Sequence, residues 1–206
     1  MSAMRSPFGS RILHDTLCPK RESIMNKSRI LAAVLMCAAG SSSSIAQDMP
    51  TSAQATAIAK EFVEKAGMSG LAEVEMGELG AQKATNGQVK AFAKRMMADH
   101  KKANEELETL IKGKVLQSKG LQIPASRSDM HKTTMEKFHQ QDAGKDFDRD
   151  YMEQMVEDHK TDVELFETAA DNEKLDPNLR GYAKGILPTL RDHLKQAQTI
   201  ESKLSD

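Results

Sequence analysis

Cysteine is scarce in this sequence: only Cys18 and Cys37 occur in 206 residues, and tryptophan is absent. Both cysteines precede residue 47, in a segment that reads as removed on export. The remaining chain has none, which excludes a disulfide framework and a catalytic thiol. Aromatic residues make up 4% of the chain, and no stretch alternates apolar and polar side chains over the length of a strand, so nothing points to a sheet. The longest apolar run, Ile30 to Gly40, is too short to cross a bilayer. No nucleophile–base pair, phosphate loop or dinucleotide fingerprint is present, so no familiar catalytic class is indicated.

The N-terminal segment reads as an export address. From Met25, a better start than Met1, Lys27 and Arg29 form a basic region ahead of the apolar run. Ser44 and Ala46 supply the small side chains that signal peptidase needs at −3 and −1, so cleavage is expected after Ala46. Met36 stands before Cys37 where a lipobox requires a small residue, which argues against lipid anchoring. The expected organisation is therefore an extension plus cleavable signal peptide at 1–46 and one domain at 47–206, in the periplasm or secreted. Residues 1–46 hold six basic and two acidic residues, which leaves 23 basic against 28 acidic, a net charge of −5. A mildly acidic surface argues against nucleic acid, which needs a basic face. Envelope partners or self-association stay open.

Helix formers dominate from there. Long helices are expected over 52–84, 88–117, 147–170 and 177–204, with a shorter one over 126–140. Asn86-Gly87, Gly120 and Asp142-Ala143-Gly144 supply the breaks. Asp176-Pro177 fits an N-cap followed by proline at the first helical position. Pro188 has no N–H for the carbonyl of Lys184, which predicts a kink or restart there. Helices of this length joined by turns fold back on one another. The expected fold is all-α: a ferritin-like, up-and-down four-helix bundle with an additional short helix between the second and third long ones.

The apolar stripes contain gaps, and histidines fill them. Met96 and Ala103 flank His100, Met155 and Val163 flank His159, and Leu190 and Ala197 flank His193. Three long helices thus each turn one imidazole toward the core. On the first helix, Glu75 lies four residues from both Leu71 and Leu79, with Glu73 at the edge of that stripe. A carboxylate among apolar neighbours is costly unless paired or bound to a cation. Glu75, His100, His159 and His193 are therefore the expected ligands of a divalent transition metal, with zinc, iron, manganese, copper and nickel all chemically suitable. The competing reading is a hydrogen-bonded polar layer that fixes packing.

Each of the three histidines follows an aspartate: Asp99, Asp158 and Asp192. Neighbouring helix residues diverge by about 100°, so each Asp is better placed to hold an imidazole of another helix than its own. With Glu73, these three are the expected supporting or alternate ligands.

The stretches LAEVEMGELGAQKATNGQVKAFAKRMMADHKKANEEL, FDRDYMEQMVEDHKTDVELFETAA and DPNLRGYAKGILPTLRDHLKQAQ resemble domain-of-unknown-function family 4142, bacterial exported proteins often labelled as outer-membrane proteins. The resemblance covers about residues 56–199, including all three Asp-His pairs and the Leu-Pro before the last. It implies a ferritin-like fold and export, and it carries no activity.

Di-iron centres on such bundles use Glu-x-x-His on two core helices. Here Met97, Val156 and Leu190 stand three residues before the core histidines, and Glu136/His139 on the short helix is the sole such pair. This argues against a di-iron oxidase. A copper-binding row of His131, Met135 and His139 is a further option on the short helix. The favoured reading is a non-catalytic metal-binding bundle. The alternatives are a structural or stress-related envelope protein and, less favoured, a metal-dependent redox enzyme.

Overall fold

The computed structural model describes residues 51–125 and 128–204. The proposed signal segment, its cleavage site and both cysteines lie outside these residues. The helices are α1 (Ser52–Lys83), α2 (Gly87–Lys112), α3 (Lys114–Gln117), α4 (Asp129–Gln140), α5 (Lys145–Asp171) and α6 (Pro177–Leu204). No strand occurs among the described residues. Nor is any described helix long and apolar enough to cross a membrane.

Local chemistry sets the boundaries. Thr51 and Gln54 form a reciprocal capping box at the start of α1. Asn86 accepts from the backbone N–H groups of Gln88 and Val89 to open α2, and Ser128 accepts from His131 to open α4. Asp176 accepts from Asn178, with Pro177 as the first helical residue of α6. α2 stops at Lys112, so residues 114–117, expected as its last turn, form the separate short α3. Gly120 then turns the chain at a positive φ of 64°, a conformation that costs glycine least. α6 runs through Pro188 as one helix rather than restarting there.

The four long helices form the bundle, with the expected additional helix between the second and third. The Thr85–Asn86 turn that ends α1 is held by Asp148 at the start of α5. At the opposite end, Lys119 beyond α2 pairs with Asp176 at the start of α6 (2.7 Å). The connection through α3 and α4 therefore carries the chain back along the bundle, and α5 runs in the same direction as α2. Each long helix lies antiparallel to its two neighbours.

Two apolar clusters fill the interior. One gathers Phe62, Leu107, Phe166 and Leu179 at the Lys119–Asp176 end. The other gathers Met76, Phe92, Met96, Tyr151 and Met155 at the Asp148 end. Between them lies a polar layer containing Glu73, His100, His159, Asp162 and His193, all buried.

Candidate metal centre

On each long helix the inward stripe advances by three or four residues and meets this layer once or twice. On α2 it passes Phe92, Met96, His100, Ala103 and Leu107, and on α6 Leu190, His193 and Ala197. On α5 it passes Met155, His159, Asp162 and Phe166. On α1 it passes Ala66, Gly70, Glu73, Gly77 and Gly80.

That last stripe exchanges the two glutamates of α1. Glu73 is the inward carboxylate, whereas Glu75, expected among the ligands, is half-buried and outside the cluster. The cause is the close approach of α1 to α2. A Cβ on Gly70 would stand 2.0 Å from Asn104 Oδ1, and one on Gly77 would stand 2.9 Å from the carbonyl of Ala93. The two glycines, one turn to either side of Glu73, let α2 come close enough for Glu73 Oε2 to reach within 2.9 Å of His100 Nδ1. Oε1 lies 3.4 Å from His159 Nδ1.

The three imidazoles converge. One nitrogen from each lies within 4.8 Å of those of the other two. Their partners fix which nitrogen is free. His159 Nδ1 donates to the carbonyl of Met155 (2.8 Å), so Nε2 carries the lone pair. His193 Nε2 donates to Asp99 Oδ2 (2.8 Å), which leaves the lone pair on Nδ1. Those two free nitrogens face each other at 3.3 Å. His100 Nδ1 lies against Glu73 without the alignment of a hydrogen bond, and its Nε2 is buried with no hydrogen-bond partner.

Two lone pairs at 3.3 Å repel unless something positive lies between them. Nitrogens bound about 2.05 Å from one tetrahedral ion would stand about 3.3–3.4 Å apart. The closest pair already has that spacing, and a pair at the 4.8 Å limit must draw in by about 1.5 Å. A donor set of three imidazoles, with a carboxylate beside it, suits a divalent transition ion.

Electrostatics favour the neutral imidazoles that a metal needs. Burial depresses the pKa of all three, and for His159 the neighbouring histidines add to the effect, bringing it down to about 3. Glu73 is pushed up to about 8, chiefly by burial. Asp162 is also raised well above the carboxylate range by burial and by Glu73. Ser69 donates to its Oδ1 (2.7 Å).

The aspartates that precede the histidines separate into different roles. Asp99 of α2 holds the imidazole of α6, the cross-helix support expected from the diverging directions of adjacent residues. Asp158 accepts instead from Gln154 on its own helix (2.9 Å), and burial raises it to about 6. Asp192 is exposed and pairs with Arg95 (2.7 Å). Asp162 was not anticipated, although its spacing of three from His159 puts it on the same face. On α4, Met135 is in the core, His131 is half-buried and His139 is exposed, so the row does not converge.

Residues 45–200 match the family described as Domain of unknown function (DUF4142). The chain belongs to this family. None of the curated proteins matches it in sequence. Among solved structures, the family's fold here is similar to CopM in the Cu(II)-bound form. The TM-score is 0.56 and the identity 19%, over 70% of this chain and 95% of that one. At that identity the likeness concerns the fold.

Proposed function

We propose that this family member is a non-catalytic, exported metal-binding protein. In this reading it holds one divalent transition ion through His100, His159 and His193, with Glu73 lying against Nδ1 of His100 and of His159 as their supporting carboxylate. Glu73 is the inward carboxylate where the sequence pattern gave Glu75. The observation that carries the reading is the inward meeting of unshared imidazole nitrogens, with His159 Nε2 and His193 Nδ1 3.3 Å apart and His100 Nε2 without a partner. Glu73, buried against Nδ1 of His100 and of His159, supplies beside the three imidazoles a negative charge that a dication would offset. The backbone of Met155 and the carboxylate of Asp99 set the ring orientations, as supporting partners of histidine ligands do. Export rests on the basic and apolar pattern of residues 25–46. Copper belongs among the ions to be tried, since the structural relative was solved with Cu(II).

Metal-free protein, offered zinc, copper, nickel, iron and manganese in turn and then freed of excess ion, should retain about one equivalent of at least one of them by elemental analysis. The His100→Ala/His159→Ala double variant should retain almost none. Negligible retention by both proteins would refute the reading and leave a polar packing layer in its place.

A further inference from the structure

The polar layer is closed on one side and open on another. Between α1 and α2 the glycines are filled: each of Gly70 and Gly77 has atoms of α2 where a Cβ would go. Between α2 and α6 the reverse holds. A cleft of about 160 Å³, roomy enough for several waters, runs in from the surface and ends on the rings of His100 and His193, which are 5% and 0% exposed. Its lining includes Ala103, Thr189 and Gly185, beside the larger Lys102, Glu106 and Ile186. Gly185 is exposed, and nothing stands within 4 Å of where its Cβ would be.

Two ties between the same helices frame this gap. On one side Arg95 of α2 reaches Asp192 (2.7 Å) and Gln196 (3.0 Å) of α6. On the other, the Tyr182 hydroxyl of α6 donates to the carbonyl of Ala103 (3.1 Å). The helices are held together above and below while the stretch facing two of the three imidazoles stays unfilled. A metal serving only to rigidify the bundle would need no such opening, because the ion could be sealed in during folding.

We propose that the α2–α6 gap is the route by which the ion enters and leaves the histidine centre of the folded protein, and that the missing side chain at Gly185 keeps it open. The centre then serves metal exchange, loading from solution and release to a stronger chelating acceptor, without unfolding. This rests on the metal-binding reading above.

The test is the rate of exchange. Wild-type protein, Gly185→Phe and Gly181→Phe are loaded with whichever ion the wild type retains, and release to excess EDTA is followed by stopped flow. Gly181 lies one turn away with equally open surroundings and outside the gap, so it serves as the control. Gly185→Phe should slow both loading and release at least tenfold, with equilibrium affinity within about threefold of wild type. Gly181→Phe should exchange at wild-type rates. A folded Gly185→Phe protein of unchanged affinity that exchanges as fast as wild type would overturn the route while leaving the metal centre standing. A wild-type protein that binds no ion would overturn both. Should Gly185→Phe not fold, Thr189→Phe obstructs the same gap and is judged by the same two rates.

Discussion

Glu73 is the side chain on which the chemistry of the layer turns. Its folded pKa of about 8 exceeds the 4.5 of an exposed glutamate. Its contribution to stability is therefore full below about pH 4.5 and is lost as pH rises through 8. The histidines act with the opposite sign. Their depressed values make a contribution that is present above the ordinary 6.5 and lost as pH falls toward the folded value, about 3 for His159. Between pH 7 and 8 the imidazoles are neutral in the folded state and mostly so in the unfolded chain, so the raised carboxyls dominate the slope. Metal-free protein should lose about 1 kcal/mol between pH 7 and 8 through the proton on Glu73. Glu73→Gln should remove that part of the slope and leave the part due to Asp162. Urea unfolding at pH 7.0, 7.5 and 8.0 in EDTA measures it, and equal slopes in the two proteins would refute the assignment of the proton. The identity of this carboxylate was poorly legible in the sequence for a physical reason. Large apolar side chains such as Leu71 drew the expected stripe toward Glu75, whereas Gly70 and Gly77 mark the true seam.

At the scale of the element, the long helices were legible almost to the residue. Their apolar steps of three and four continue across the gaps that histidines fill, Asn86-Gly87 marks the break before α2, and Asp176-Pro177 announces the start of α6. The faces of His100, His159 and His193 followed from the same periodicity. Their common height did not, because period fixes direction around a helix axis and not position along the bundle. Nor did the length of the α2–α5 connection show which way it ran. Asp148 does much to settle that direction. Buried on the first turn of α5, it accepts from the backbone N–H groups of Thr85 (3.0 Å) and Asn86 (2.8 Å) and from the Thr85 hydroxyl. It thereby ties the α1–α2 turn to a helix some sixty residues away. Asp148→Ala would leave those donors buried without acceptors and should cost about 2–4 kcal/mol in chemical denaturation. Asp148→Asn, which keeps an acceptor oxygen, should cost less. Metal retention should not change in either, since Asp148 is three helical turns from His159. A loss of metal in the folded Asp148→Asn protein would mean that the turn positions the centre after all.

For the whole molecule, the placement of the layer matters more than any single contact in it. Two apolar clusters, one at each end, are divided by a level at which α1, α2, α5 and α6 each contribute polar side chains. Without an ion, this level holds facing lone pairs and carboxyls that keep their protons, which is the weakest way to join the two cores. An ion there would tie α2, α5 and α6 at once, and α1 through Glu73, and would be absent from the unfolded chain, so its binding free energy becomes folding free energy. At a free ion concentration a hundred times Kd, linkage contributes about 2.7 kcal/mol. For a domain of this size that corresponds to a rise in Tm of about 5–11 °C. Calorimetry of the metal-loaded protein should show that rise, EDTA should abolish it, and the His100→Ala/His159→Ala variant should melt at one temperature in both conditions. A layer that only fixes packing requires a wild-type Tm indifferent to chelator, and that result would remove the ion from the account of why these four helices meet as they do.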